Sequence, residues 1–455
     1  MQISLLAPFR TQLQLDTEYC LSNWEVARET ISASLAGMAL PLDLVAKGPD
    51  QEGPRGFQKY VSLNTDYASP FVRPLATLTL PESGLEASRD RYFAAVASAI
   101  GAATGDLHLR RAQIFIHDNT IAMAQFDIEI AADAVDPAQF VGSFDVATSL
   151  AARAFLSEIG VPAVERVAKR LATERLAKVG NHLLLLPPSR FIAFDDVSFE
   201  GRYAWPEEHS ALLWVNRTMS VGRDESAFHE AAAAWGRLNG QTRHALAQDH
   251  YVSVKPGNNL LLNSDGADDL LTALRLVQYF YIIFDTFSDR LKRFYVSIGP
   301  WRNMRSVTHI HQRAARISSF FDYARTEFND LMIGLQSERK HFAEQLVEVF
   351  EMDQLIANVK DRHVAVESKI AALLEIRGQT RQKVLQFGIV LIGALQIFDL
   401  LLNISWFALT EPQLIKDDVP SIFSLGLNVS PNLVQNVALL VVLITALIVT
   451  TRRRT

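Results

Sequence analysis

The chain has 455 residues, 49% hydrophobic and 21% charged, with a formal net charge of -6 and one cysteine, Cys20. This composition excludes wholesale disorder, a basic footprint for nucleic acid and a disulfide framework within one chain. The length allows two or three structural units. Arginine outnumbers lysine 33 to 11, as expected of a GC-rich bacterial genome. The opening MQISLLAPFRTQLQLD has no basic n-region and no long apolar core. It is not expected to act as a signal peptide, and the amino-terminal part is expected in the cytosol.

Residues 1–265 read as a cytosolic domain of mixed strands and helices, α/β or α+β in class. AQIFIHDNTIAMAQFDIEI (112–130) has the pattern of a hairpin. Phe126, Ile128 and Ile130 alternate with Asp127 and Glu129, and His117-Asp118-Asn119-Thr120 supplies the turn. Further strands are expected in 181–201, 211–221 and 250–264. Helices are expected in 86–103, 141–160, 163–180 and 225–248. The domain contains no P-loop, G-x-S-x-G or C-x-x-C motif. His229-Glu230 lacks the second histidine of H-E-x-x-H, and His309 and His311 point away from each other on a helix. Asp195-Asp196 reads as a solvated turn, or as a cation site if a neighbouring subunit supplies more carboxylates, and Cys20 reads as a packed thiol. No catalytic residue and no covalent cofactor are expected.

Residues 266–351 read as a hairpin of helices. The apolar run from Leu274 to Phe287 is short for a bilayer span and is broken by Arg275, Gln278 and Asp285. A buried soluble helix is expected there. Residues 352–383 read as a stalk helix. Met352, Val359, Val366 and Leu373 form one heptad column, and Ile356, His363, Ile370 and Arg377 its companion. This seam fits a coiled coil or packing against the preceding helices. No proline falls between Pro300 and Pro412, so one helix is expected from Met352 to Phe407.

Residues 384–407 form a first transmembrane segment, 408–432 an extracytoplasmic loop, 433–451 a second transmembrane segment and 452–455 a basic cytosolic tail. Arg377, Arg381 and Lys383 precede the first span, and Arg452, Arg453 and Arg454 follow the second. Positive charge on both outer flanks puts both termini in the cytosol of a bacterial inner membrane. Trp406 and Phe407 sit where an interfacial anchor belongs. Within the first span Gln396, Asp399 and Asn403 are three and four residues apart, hence on one helix face. Three readings fit this stripe: pore lining repeated as rings in an oligomer, polar contact between two helices, or an anchor at the headgroups.

The loop contains Gly426-Leu427-Asn428, followed by Pro431 and the second span. The order of domain, helical hairpin, stalk, span, loop, span and basic tail resembles the CorA-like, two-transmembrane, GxN-type cation transporter family. Leu427 stands where the family has methionine, and 18 residues, 408–425, separate the first span from the tripeptide. The resemblance implies a homo-oligomer, a pentamer in that family, that carries a divalent cation such as Mg2+ as substrate. It implies that Gln396, Asp399 and Asn403 line the pore and that Gly426 and Asn428 form its entrance. Asp399 and Asn428 would meet the metal, and Arg452, Arg453 and Arg454 would surround the cytosolic exit. Two other functions stay open at the level of sequence: a membrane-anchored sensor or effector in stress or phage defence, and an oligomeric scaffold.

Overall fold

The computed structural model describes residues 1–11, 13–15, 24–38, 42–45, 74, 76–117, 121–131, 137–174, 177–179, 212–222, 225, 228–238, 251–263, 266–297, 307–335 and 337–410. The chain divides into two compact units. One comprises Met1–Arg302 and Thr308–Lys369, the other Asn303–Val307 and Ile370–Thr455.

The first unit is built on a mixed sheet. Its strands are β1 (Gln2–Arg10), β3 (Asp43–Val45), β4 (Ala76–Thr79), β5 (Leu107–Ile116), β6 (Ile121–Ile130), β8 (Asn216–Val221), β9 (Tyr251–Ser253) and β10 (Asn258–Leu262). Their order is β3-β4-β5-β6-β1-β8-β10-β9. Only β8 and β10 run parallel; every other neighbouring pair is antiparallel. A separate two-stranded ladder joins β2 (Leu13–Leu15) to β7 (Ala177–Val179).

The 112–130 hairpin forms as expected, with Ala112 opposite Phe126 and Ile116 opposite Ala122. The region 250–264 holds two strands, β9 and β10, and 211–221 holds β8. Residues 181–201 lie outside the described residues. The central strand β1 was not expected. Its residues Ile3 to Phe9 are buried on both faces, so it reads as a continuous apolar run without the alternation that marks a half-exposed strand. The end of the helix expected over 163–180 is instead strand β7.

One face of the sheet is covered by helices α1 (Trp24–Leu35), α2 (Glu82–Ser88), α3 (Ala94–Ala99), α4 (Pro137–Phe155), α5 (Val161–Thr173) and α6 (His229–Leu238). Ile3, Leu5, Ala7 and Phe9 of β1 and Phe126 and Ile128 of β6 join Phe93, Phe144, Phe155, Val167 and Trp235 of the helical layer in one apolar core. Two π-helical turns, Arg89–Phe93 and Leu156–Gly160, interrupt this layer. They meet where the Tyr92 hydroxyl donates to Glu158 at 2.9 Å and the Tyr92 and Phe155 rings pack edge to face. Burial and the Glu158 carboxylate together push the Tyr92 phenol up to about 12.

Helix α7 (Ala267–Ser297) lies on the opposite face. Leu271, Leu274, Val277, Phe280, Ile283, Phe284 and Phe287 are buried, so the run from 274 to 287 is the core helix its length suggested. Phe280, Phe284 and Phe287 pack tilted or edge to face against Phe321 and Phe328 of α8 (Val307–Gly334). The returning segment of the expected hairpin is two helices, α8 and α9 (Ser337–Val349), with Ser337 at a φ of 54° where they part. Arg339 of α9 pairs with Asp269 of α7 at 2.7 Å. Glu351, at a φ of 51°, separates α9 from α10 (Met352–Thr410).

The heptad seam at the start of α10 is spent inside the chain. Met352, Val359, Val366 and Ile370 are buried. Arg362 donates to Ser288 of α7 at 2.5 Å, and Lys369 to the Tyr295 carbonyl at 2.6 Å. Within the chain this part of the seam packs against a preceding helix.

A buried arginine ties β8 to α4. Arg217, 7% exposed, donates to Thr148 Oγ1, Ser149 Oγ and the carbonyls of Val215 and Asp145 at 2.5–3.0 Å. The Asp145 carboxylate lies 3.4 Å away. Removing the guanidinium strips partners from two carbonyls in the core, so Arg217→Ala is expected to destabilise the first unit by roughly 2–4 kcal/mol. Urea unfolding followed by circular dichroism measures this; a loss below about 0.5 kcal/mol would assign the residue no role in the fold.

Candidate functional site

The first region of interest is the carboxy-terminal half of α10. Residues Gln382–Leu400 are long and apolar enough to cross a bilayer, and none of that window is buried. At 1.5 Å per residue, nineteen residues span about 28 Å, close to the thickness of a hydrocarbon core. Leu385 is 67% and Ile389 69% exposed, and Val384, Val390, Ile392, Ile397 and Leu400 are exposed with them. The other helix of comparable length and apolarity is α7, and 72% of its window is buried.

Gln396 and Asp399 lie on this helix, and both are exposed. Asn403 lies on the same helix seven residues after Gln396; its side chain is outside what is described. The three-and-four spacing on one unbroken helix brings the stripe onto one face. The same face continues inward through Ile392, Ile389 and Leu385 to Gln382. It is therefore polar at both ends and apolar between them. Gly426, Asn428, Arg452, Arg453, Arg454 and the second span 433–451 lie outside the described residues. No group of metal-binding side chains occurs among the described residues.

A second polar constellation lies between the sheet and α7. Asp127 and Glu129 were expected to face solvent. Asp127 is instead 2% exposed, because α7 roofs that face of the sheet. A β-bulge between Leu109 and Arg111 shifts the alternation of β5 by one residue. It sets Arg111 opposite Asp127 and turns Phe115 and His117 toward the same side. Gln125 donates to both Asp127 oxygens at 3.1 and 3.2 Å, and Arg111 Nε lies 3.2 Å from Asp127 Oδ2. From α7, Arg275 donates to Gln125 Oε1 at 3.1 Å and to Thr272 Oγ1 at 3.2 Å, with its guanidinium 4.4 Å above the Phe115 ring. Burial brings Arg275 down to about 10, opposed by Asp127. The His117 ring stacks on Tyr279 at 4.8 Å. Its two nitrogens are buried without partners, as are both amide atoms of Gln278.

This layer was half legible beforehand. Arg275 and Gln278 were visible as interruptions of an apolar run, and the turn at His117 was placed. What sequence did not reveal was that these interruptions and the polar face of β6 meet.

Comparison with family models, with curated proteins and with solved structures gives no significant match.

Burial, with the nearby Arg275 charge, lowers His117 from 6.5 to about 3. The folded state therefore refuses a proton that the unfolded chain accepts between those values. Stability from this group is complete above 6.5 and falls with acidification, by at most about 1.4 kcal/mol per pH unit. His117→Phe keeps the stack on Tyr279 and removes the titration. Its urea midpoint is expected to fall less than that of the parent between pH 7 and pH 4.5; parallel profiles would place His117 in contact with water.

Proposed function

We propose that this chain is a homo-oligomeric, CorA-like membrane channel or transporter for divalent cations, gated by its amino-terminal unit through α10. The observation that carries this reading is the uncovered apolar window of α10, with Gln396 and Asp399 exposed beside it. An apolar helix this exposed belongs in lipid, and a carboxylate within it needs a protected, hydrated surface. Several copies arranged about an axis provide one, with Gln396, Asp399 and Asn403 repeated as rings of oxygen ligands. Mg2+ sheds its water reluctantly, so these rings would engage the hydrated ion as substrate. Leu385, Ile389 and Ile392, on the same face, would form an apolar constriction that closes by dewetting.

The remaining assignments rest on the resemblance of chain order. Gly426 and Asn428 are proposed for the outer mouth, and Arg452, Arg453 and Arg454 for the cytosolic exit. Both termini are proposed to lie in the cytosol. The stalk supplies the coupling. The start of α10 is bonded to α7 by Arg362 and Lys369, and the same helix continues to Thr410. The 18-residue separation between the first span and Gly426 favours a second reading, an anchored effector that does not conduct selectively.

Reconstitution into liposomes loaded with a Mg2+ indicator separates the two. The channel reading expects Mg2+ flux, and expects Asp399→Ala to lower it by roughly tenfold, about 1.4 kcal/mol in the barrier. Flux at the parental rate and selectivity in Asp399→Ala would remove Asp399 from the conduction path. No flux from the parent would favour the effector.

A further inference from the structure

We propose that the polar layer between β5, β6 and α7 is a binding site for a small phosphate-bearing anion, with Arg275 as its principal anchor and Arg111 and His117 beside it. Three observations converge. First, the cationic side of the layer outnumbers its anionic side where the groups touch. Arg111 is paired with Asp127, whose oxygens are further engaged by Gln125. Arg275 bonds only to the neutral oxygens of Gln125 and Thr272. Among the described residues this half-buried guanidinium has no carboxylate in ion-pair contact. A planar fork of donors left without an acidic partner suits the oxygens of a phosphate.

Second, the layer keeps donors that the protein does not use. His117 is 5% exposed and stacks on Tyr279, yet neither ring nitrogen has a partner. Gln278, one residue before Tyr279 on α7, is fully buried with its amide nitrogen and oxygen both unmatched. Buried polar atoms without partners are costly and rare; the His117 nitrogens, close enough to Arg275 to feel its charge, with Gln278 one turn along the same helix, point to a missing partner. Third, the layer has an exposed edge: Arg111 is 46% exposed and Arg275 is half-buried.

Occupancy here bears on α7, the helix to which α9 is tied by Arg339 and α10 by Arg362. Binding itself needs no ion conduction, so this site stands or falls separately from the channel reading.

The test uses the full-length protein in detergent and follows its thermal midpoint by intrinsic tryptophan fluorescence at constant ionic strength. The probes are inorganic phosphate and, in a parallel arm, adenosine monophosphate, with chloride as the reference. A probe at about ten times its dissociation constant is expected to raise the midpoint by roughly 3 °C. Equal responses to both identify the free anion as sufficient; a larger response to the nucleotide identifies a phosphorylated aromatic molecule stacking in the layer. Arg275→Met keeps an apolar stem over Phe115 and is expected to lose the shift. Arg339→Met, which removes a guanidinium already paired with Asp269, is expected to keep it. Arg275→Lys retains the charge without the fork and is expected to weaken the apparent affinity several-fold, so it serves if the methionine variant does not fold. No shift in the parent, or the same shift in parent and Arg275 variants, overturns the site.

Discussion

The uncovered apolar stretch of α10 is the constraint around which the rest of the molecule is organised. Seven large aliphatic side chains between Val384 and Leu400 are exposed. Each forgoes on the order of 1 kcal/mol or more by facing water. Such a surface calls for a cover, and in the proposed channel that cover is hydrocarbon or other copies of the helix. The helix also satisfies its own backbone, which is what a bilayer demands of any segment that crosses it. The contrast with α7 is instructive. Both helices are long and apolar enough to cross a bilayer, yet α7 is enclosed by the sheet, α8, α9 and the start of α10. Apolarity alone therefore does not decide the fate of a helix; what covers it does.

Within the proposed channel, the polar residues of α10 become intelligible as parts of one face. Gln382 stands at one end and Gln396, Asp399 and Asn403 at the other, with Leu385, Ile389 and Ile392 between. The buried column of Met352, Val359 and Val366 is two heptad positions away from each row of this face. The residues that anchor α10 to α7 are therefore not the residues proposed to face the ion. Anchoring and conduction use different sides of one helix, which permits α7 to move the helix without occupying its functional face.

Much of this was readable from the sequence, and the failures have definite causes. The hairpin of β5 and β6 was legible because its two strands alternate and its turn residues are polar. The long helix was legible because proline is absent over more than a hundred residues. The central strand β1 was not, since burial on both faces erases the period of two. The polar layer beneath α7 was not, because it joins residues 150 positions apart in the chain, such as Gln125 and Arg275. A bulge at Arg110 also reverses the alternation on which a face assignment depends. The heptad was seen, but a heptad does not say whether its partner is another copy or the same chain. Gln396 and Asp399 fall on one helix, where a spacing of three puts them on one face.

The most direct test of the central claim is cysteine accessibility along α10 in membrane vesicles. Cys20 is the sole native cysteine, so Cys20→Ser gives a background free of thiols. Single cysteines are then placed at Gln396, Asp399 and Asn403, and at Val390 and Ile397 on another face, and treated with a charged, membrane-impermeant thiol reagent. The account predicts rapid modification at the first three positions and protection at the last two. Uniform protection, or faster reaction at Val390 and Ile397 than at Asp399, would contradict a water-lined face and leave α10 as an anchor in lipid.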